Sequence, residues 1–152
     1  MTTYNATREQ GGVEPVQNAT GDITVVSTFA LTQALAVNDI INMLDVPLNA
    51  VVTEVNLSAD ELDTNAAATI AYDVGDSNSA QRFIAAAAQS NGVALAPTRM
   101  NVAAGLGYQY TSRTTIQVKV HTGPATGATS GTVRLAVTYS MQSITLSNDT
   151  AS

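Results

Sequence analysis

The sequence predicts an all-β sandwich with one short helix, at about residues 79–90, and an extended amino-terminal arm. Three observations carry that expectation. Apolar and polar residues alternate in run after run, as in Ile116-Gln117-Val118-Lys119-Val120 and in Val133 to Met141, which is the period of a strand with one face buried. Gly, Pro, Asn and Asp break these runs at short intervals. A single stretch, Ala80 to Gln89, combines helix-favouring composition with a start signal, Asn78 three residues before Gln81, and a stop at Asn91-Gly92.

Taken in order, Met1 to Gly21 is polar, holds Gly11-Gly12 and Pro15, shows neither period, and reads as an arm (1–21). Asp22 to Ala30 is the first strand, rich in Val, Ile, Thr and Phe. Leu31 to Asp39 is a connection in which Val37-Asn38-Asp39 reads as a hairpin turn, and Ile40 to Val46 is the next strand. After a turn at Pro47, Val51, Thr53, Val55 and Leu57 share one face of a strand, with Glu54, Asn56 and Ser58 on the other. A polar connection, Asp60 to Asn65, leads to Ile70, Tyr72 and Val74. Gly75-Asp76 ends that strand, with Gly75 expected at positive φ.

The helix would then lay Phe83, Ile84, Ala87 and Ala88 against the sandwich. Strands follow at Thr98 to Ala103, Tyr108 to Ser112 and Thr114 to His121, with Gly105-Leu106-Gly107 as a tight link. Thr122 to Gly131 is an exposed loop, and the last strand sets Val133, Leu135, Val137, Tyr139 and Met141 on one side. The sandwich domain is expected over 22–146, with a tail at 147–152.

At 152 residues and 15.7 kDa the chain fits one domain. Charged residues are 12%, half the usual share of about 25%, and a surface so poor in charge suits assembly. The net charge of −6 and only six Lys and Arg argue against a nucleic-acid surface. With no Cys there is no disulfide framework, thiolate metal site or cysteine nucleophile. No run approaches the ~18 apolar residues of a membrane span, and the first residues carry no basic-then-apolar leader, so neither membrane nor export is expected.

Little here suggests chemistry. His121 stands at a strand end with no Ser or carboxylate at a triad spacing, and reads as a solvated histidine. Asp60, Glu61, Asp63, Asp73 and Asp76 could offer oxygens to a hard cation, but no EF-hand spacing is present and turn duty explains them. Tyr72, Tyr108, Tyr110 and Tyr139 fit packing better than a sugar-stacking platform. No catalytic, metal or cofactor site is assigned, and the chain is expected not to be an enzyme.

The stretch from Val46 to Ile84 resembles the small cement or decoration proteins of tailed bacteriophage capsids. The resemblance rests on the turn Val46-Pro47 with Ala50, the connection Leu62-Asp63-Thr64, the turn Val74-Gly75-Asp76, and Arg82-Phe83. Asn49 stands where that pattern has Gly, and Asn tolerates positive φ. The resemblance implies a jelly-roll-like sandwich and a structural virion protein. Such a protein binds the outer capsid surface and stabilises contacts between major capsid protein subunits. It further implies a homo-oligomer, a trimer before a dimer, with no nucleic acid or membrane partner. Tyr4, Arg8 and Pro15 in the arm are the expected capsid or subunit contacts, and Pro47, Gly75 and Asp76 the structural turn residues. The alternative is a glycan- or host-binding module of a phage head fibre or tail.

Overall fold

The computed structural model describes residues 1–10 and 21–141. Pro15, the expected reach of the last strand to 146 and the tail 147–152 lie outside these residues. The elements are β1 (Thr3–Asn5), α1 (Thr7–Gln10), β2 (Asp22–Ala30), β3 (Ile40–Val46), β4 (Ala50–Ala59), β5 (Ala71–Gly75), β6 (Ile84–Ala88) and β7 (Leu95–Arg99). A 3-10 turn (Ala103–Gly105) then leads to β8 (Tyr108–Gln109), β9 (Thr114–Thr122) and β10 (Thr132–Met141).

These strands form two facing sheets. One has the order β1-β3-β9-β5-β6, the other β2-β10-β4-β7, with β8 also on β4. Every pairing is antiparallel except that of β1 on β3. The chain crosses from one sheet to the other at every connection between successive strands except β5 to β6 and β7 to β8, which is the jelly-roll arrangement. The turns at Val37-Asn38-Asp39 and Pro47 therefore bridge sheets and close no hairpin. Asn38 and Asn49, at φ 68° and 69°, supply the left-handed residue each needs. At the second, Ala50 N–H donates to the Pro47 carbonyl (3.2 Å), so Asn49 holds the third position of a type II turn.

Alternation places the core. Ile23, Val25 and Phe29 of β2, Ile116, Val118 and Val120 of β9, and Val133, Leu135, Val137 and Tyr139 of β10 all point between the sheets. Ser27 also faces inward and stays paired by donating its hydroxyl to the Met43 carbonyl (2.5 Å). In β4 the alternation slips. Thr138 of β10 pairs with Glu54 but Tyr139 pairs with Val52, so Thr53 is an extra residue, a bulge. Val52, Val55 and Leu57 are the buried set; Val51 and Thr53, expected among them, are not.

The expected helix at 79–90 is replaced by one turn followed by strand β6. Asp76 accepts from the N–H groups of Asn78 (2.9 Å) and Ser79 (3.0 Å) as a helix cap would. The chain then leaves the turn, because β5 offers an open edge on which Ile84, Ala87 and Ala88 pair with Val74, Tyr72 and Ala71. A ladder of backbone hydrogen bonds and the burial of Phe83, Ile84 and Ala87 outweigh the small intrinsic preference of alanine for helix, at most about 0.7 kcal/mol per residue over ordinary residues. The misfit is absorbed at Ala85-Ala86, where Ala86 takes φ 51° and gives its N–H to Asp73 Oδ1 (2.8 Å). On the outer side of β6, the Asn101 amide accepts from Ala85 N–H (2.8 Å) and donates to Ala85 C=O (3.0 Å), standing in for a further strand.

Candidate interaction surface

The first ten residues do not stand apart from the sandwich. Strand β1 lies parallel on β3, pairing Thr3, Tyr4 and Asn5 with Ile40, Ile41 and Asn42. Asp39, 2% exposed, draws the segment in: it accepts from Thr2 N–H (2.7 Å), the Tyr4 hydroxyl (3.2 Å) and Ala36 N–H (2.9 Å). The Tyr4 ring packs 5.4 Å from Phe29, and its hydroxyl accepts from Gln33 Nε2 (2.8 Å). Ala6 is fully buried, and Thr7 donates its hydroxyl to the Thr28 carbonyl (3.1 Å). Tyr4 is thus engaged within its own chain, while Arg8 is half-exposed on α1. The expected contact Pro15 lies outside the described residues.

Of the turn residues, Pro47 opens the turn before β4, while Gly75 and Asp76 stand at a buried ionic node. Asp76 sits at 2% exposure, ion-paired with Arg82 through Nε and accepting a second bond from its Nη2 (3.3 Å). The Tyr110 hydroxyl donates to Asp76 Oδ2 (2.8 Å), and the Arg82 guanidinium lies 3.8 Å over the Tyr108 ring. Burial opposes the charge on Asp76, but the Arg82, Tyr110, Asn78 and Ser79 donors outweigh it and hold its pKa below the usual carboxylate range. Burial, with Asp76 beside it, pushes the Tyr110 hydroxyl up. Gly75 is needed for a reason other than positive φ, which it does not adopt: a Cβ there would stand 2.0 Å from the Ser79 carbonyl oxygen. Gly105 is alike, its Cβ position 2.4 Å from the Arg82 carbonyl oxygen.

Asp63 organises the opposite end. Fully buried, it accepts from Thr69 (2.7 Å), Ala125 (2.8 Å), Thr126 (3.0 Å) and Asn65 (3.2 Å) N–H groups, so the loop 122–131 is tied to the connection before β5. Burial raises the cost of its charge, and those backbone donors more than offset it, leaving the pKa well below the ordinary range. Gln89 adds to the tie by accepting from Leu62 N–H (2.9 Å) and donating to the Asp63 carbonyl (2.9 Å). Such all-backbone donor sets stabilise a carboxylate as a turn element and leave no oxygen open for a cation. Among the described residues no group of three or more His, Asp or Glu could hold a metal ion.

Of the tyrosines, Tyr72, Tyr110 and Tyr139 are buried and Tyr108 is half-covered by Arg82, so the four form no open stacking platform. His121 is exposed at the end of its strand, as expected, and is also paired. Its Nδ1 lies 2.9 Å from Asp73 Oδ2, and Gln81 Nε2 donates to Asp73 Oδ1 (3.2 Å). The pair joins residues 48 apart in sequence, a relation with no local signal. These groups line a polar cleft of about 410 Å³ with Lys119, Asn38 and Ser79. A second groove of about 460 Å³, with Thr53, Arg99, Met100 and Leu106 on its walls, opens on the other sheet. Leu106 stands 67% exposed there.

Two sheets filled by apolar side chains, carboxylates consumed by turns, and open faces of Thr, Ala, Asn and Gln define a β-sandwich built to present surfaces. The chain is similar to one in the capsid asymmetric unit of cyanophage Pam1, with 29% identity over 86% of this chain and 95% of that one and a TM-score of 0.71. It is also similar to one in the capsid of Ralstonia phage GP4, with 30% identity over 92% of this chain and 98% of that one and a TM-score of 0.74. At that identity over nearly the whole of both chains, the protein belongs to the family of these phage capsid-related proteins. No family model and no curated protein matches it.

Proposed function

We propose that the protein is a non-enzymatic virion component, a decoration protein that binds the outer surface of a phage capsid and stabilises contacts between major capsid protein subunits. The observation that carries this reading is the near full-length likeness to chains of two phage capsids. The surface agrees with it. With 12% charged residues and faces of small polar side chains, affinity has to come from area and from several copies acting together. A homo-oligomer, a trimer before a dimer, gives that avidity and matches the local symmetry of a shell.

The test is to mix purified protein with undecorated shells, count bound copies per shell by electron microscopy, and compare shell melting with and without it. Saturable occupancy and a raised shell melting temperature are expected. Absence of bound copies at micromolar protein overturns the proposal.

A further inference from the structure

Between β7 and β8 the chain leaves a notch in the second sheet. Strand β8 pairs with Val51 and Val52 of β4, and β7 with Asn56, Leu57 and Ala59, so β4 has no strand beside Thr53 and Glu54 on that side. Residues 100–107 loop past the gap and are pinned at both ends: Met100 N–H donates to the Val55 carbonyl (2.9 Å) and Gly107 N–H to the Val52 carbonyl (2.8 Å). The groove of about 460 Å³ lies here, walled by Met100, Val102, Ala103 and Leu106. Its uncharged polar side chains are engaged within the chain, the Asn101 amide on Ala85 and the Thr53 hydroxyl on the Thr138 carbonyl (3.3 Å). Arg99 and Glu54 also line it. They stand 3.7 Å apart with side chains 79% and 47% exposed, a pairing worth little in water and open to exchange.

Leu106 stands beside this groove as a fixed apolar knob. After the terminal Met1 it is the most exposed large apolar side chain among the described residues. Its backbone is held by its own N–H on the Ala103 carbonyl (3.3 Å), by Gly105 N–H on the Val102 carbonyl (3.0 Å) and by the Gly107 bond to Val52. An apolar side chain displayed on a pinned loop loses little freedom when it is covered, which suits an interface anchor. Knob, groove and the two opposite charges share one patch. Such a patch is satisfied by a two-fold pairing with itself, whereas a ring needs the complementary halves on different sides of the molecule. We propose that this patch is a self-association site: about a two-fold axis, Leu106 of each copy enters the groove of the other beside Met100 and Val102, and Arg99 of each faces Glu54 of the other. Two molecules each of net charge −6 repel, and these two cross-pairs supply the local complementarity that close approach needs. This inference rests on the homo-oligomer reading above and selects its two-fold form.

The experiment is analytical ultracentrifugation of the free protein at micromolar concentration. Wild type is expected as a dimer, and Leu106→Asp as shifted toward monomer, with a dissociation constant raised about tenfold or more. Glu54→Arg and Arg99→Glu each set like charges face to face and are expected to weaken association, and the double variant Glu54→Arg with Arg99→Glu to restore it. Circular dichroism verifies that each variant is folded. If Leu106→Asp is not, Leu106→Ala, which only shortens the knob, is expected to weaken association likewise. A monomeric or trimeric wild type, unchanged association in the Leu106 variant, or failure of the double variant to regain the wild-type mass overturns the proposal. Shell binding is measured separately. A Leu106-dependent dimer with no shell binding supports this inference and overturns the decoration reading, whereas shell binding by a monomeric wild type does the reverse.

Discussion

Tyr110 and Asp76, 34 residues apart, are joined by a 2.8 Å hydrogen bond in which the buried phenol donates to a carboxylate already paired with Arg82. That bond ties the turn after β5 to the segment after β8. Tyr110→Phe removes one donor to a charged acceptor and is expected to destabilise by about 1.5–3 kcal/mol. Asp76→Ala leaves Arg82 largely buried and unpaired and is expected to cost more, about 3–5 kcal/mol. Urea unfolding with intrinsic tyrosine fluorescence measures both.

Gly75→Ala tests the reason for glycine at that position. Relief of a positive φ is not at stake, so the cost comes from a methyl group 2.0 Å from the Ser79 carbonyl oxygen, which forces the turn apart. Destabilisation of about 2–4 kcal/mol is expected, as for other strained or overpacked sites. An unchanged melting temperature would show that the turn gives way freely.

Acid should unfold the protein through Asp63 and Asp76, whose folded pKa values are held low. A carboxylate with a depressed folded pKa contributes stability that is full above its unfolded pKa, about 3.9, and is lost as pH falls toward the folded value. The melting temperature is therefore expected to drop steeply below about pH 4. Asp63→Asn lowers stability at neutral pH and flattens that slope; an equal slope in the variant would remove Asp63 from the account.

Deleting residues 1–10 is expected to destabilise the sandwich as well as shorten it. The deletion strips two of the three donors from buried Asp39, uncovers Phe29 and removes fully buried Ala6. A loss of about 2–4 kcal/mol is expected, since an unpaired buried carboxylate and an exposed aromatic each cost on the order of 1–3 kcal/mol. Differential scanning calorimetry of the truncated chain measures it.

Val55 and Val137 face each other across β4 and β10, both fully buried. Aspartate at either position places an unpaired charge in the core, so each variant is expected to lose more than about 4 kcal/mol and to be recovered largely insoluble.

The strands were legible wherever one face is buried throughout, as in β2, β9 and β10, because alternation then records the fold directly. It misled where backbone pairing decided the matter. Ala85 to Ala88 carries no β-branched residue, and nothing local shows that β5 needs a neighbour. The Thr53 bulge shifts faces in a run that reads as regular, because its cause is the register of β10. Pro47 and Asn49 were readable as a turn, but whether a turn closes a hairpin or crosses between sheets depends on partners elsewhere. The carboxylates at 63 and 76 accept from backbone N–H groups close by in sequence, a local role that sequence can suggest, whereas Asp73 facing His121 and Tyr110 facing Asp76 are products of sheet order alone.

The clasp of Asn101 on Ala85 bears on how the molecule survives at high concentration. An open outer strand polymerises readily, since each added copy exposes the same unpaired row to the next. One side-chain amide here occupies a donor and an acceptor of that row. Molecules therefore cannot grow edge to edge through Ala85 without first giving up two good bonds. Fibrous growth is disfavoured at this margin of the sheet.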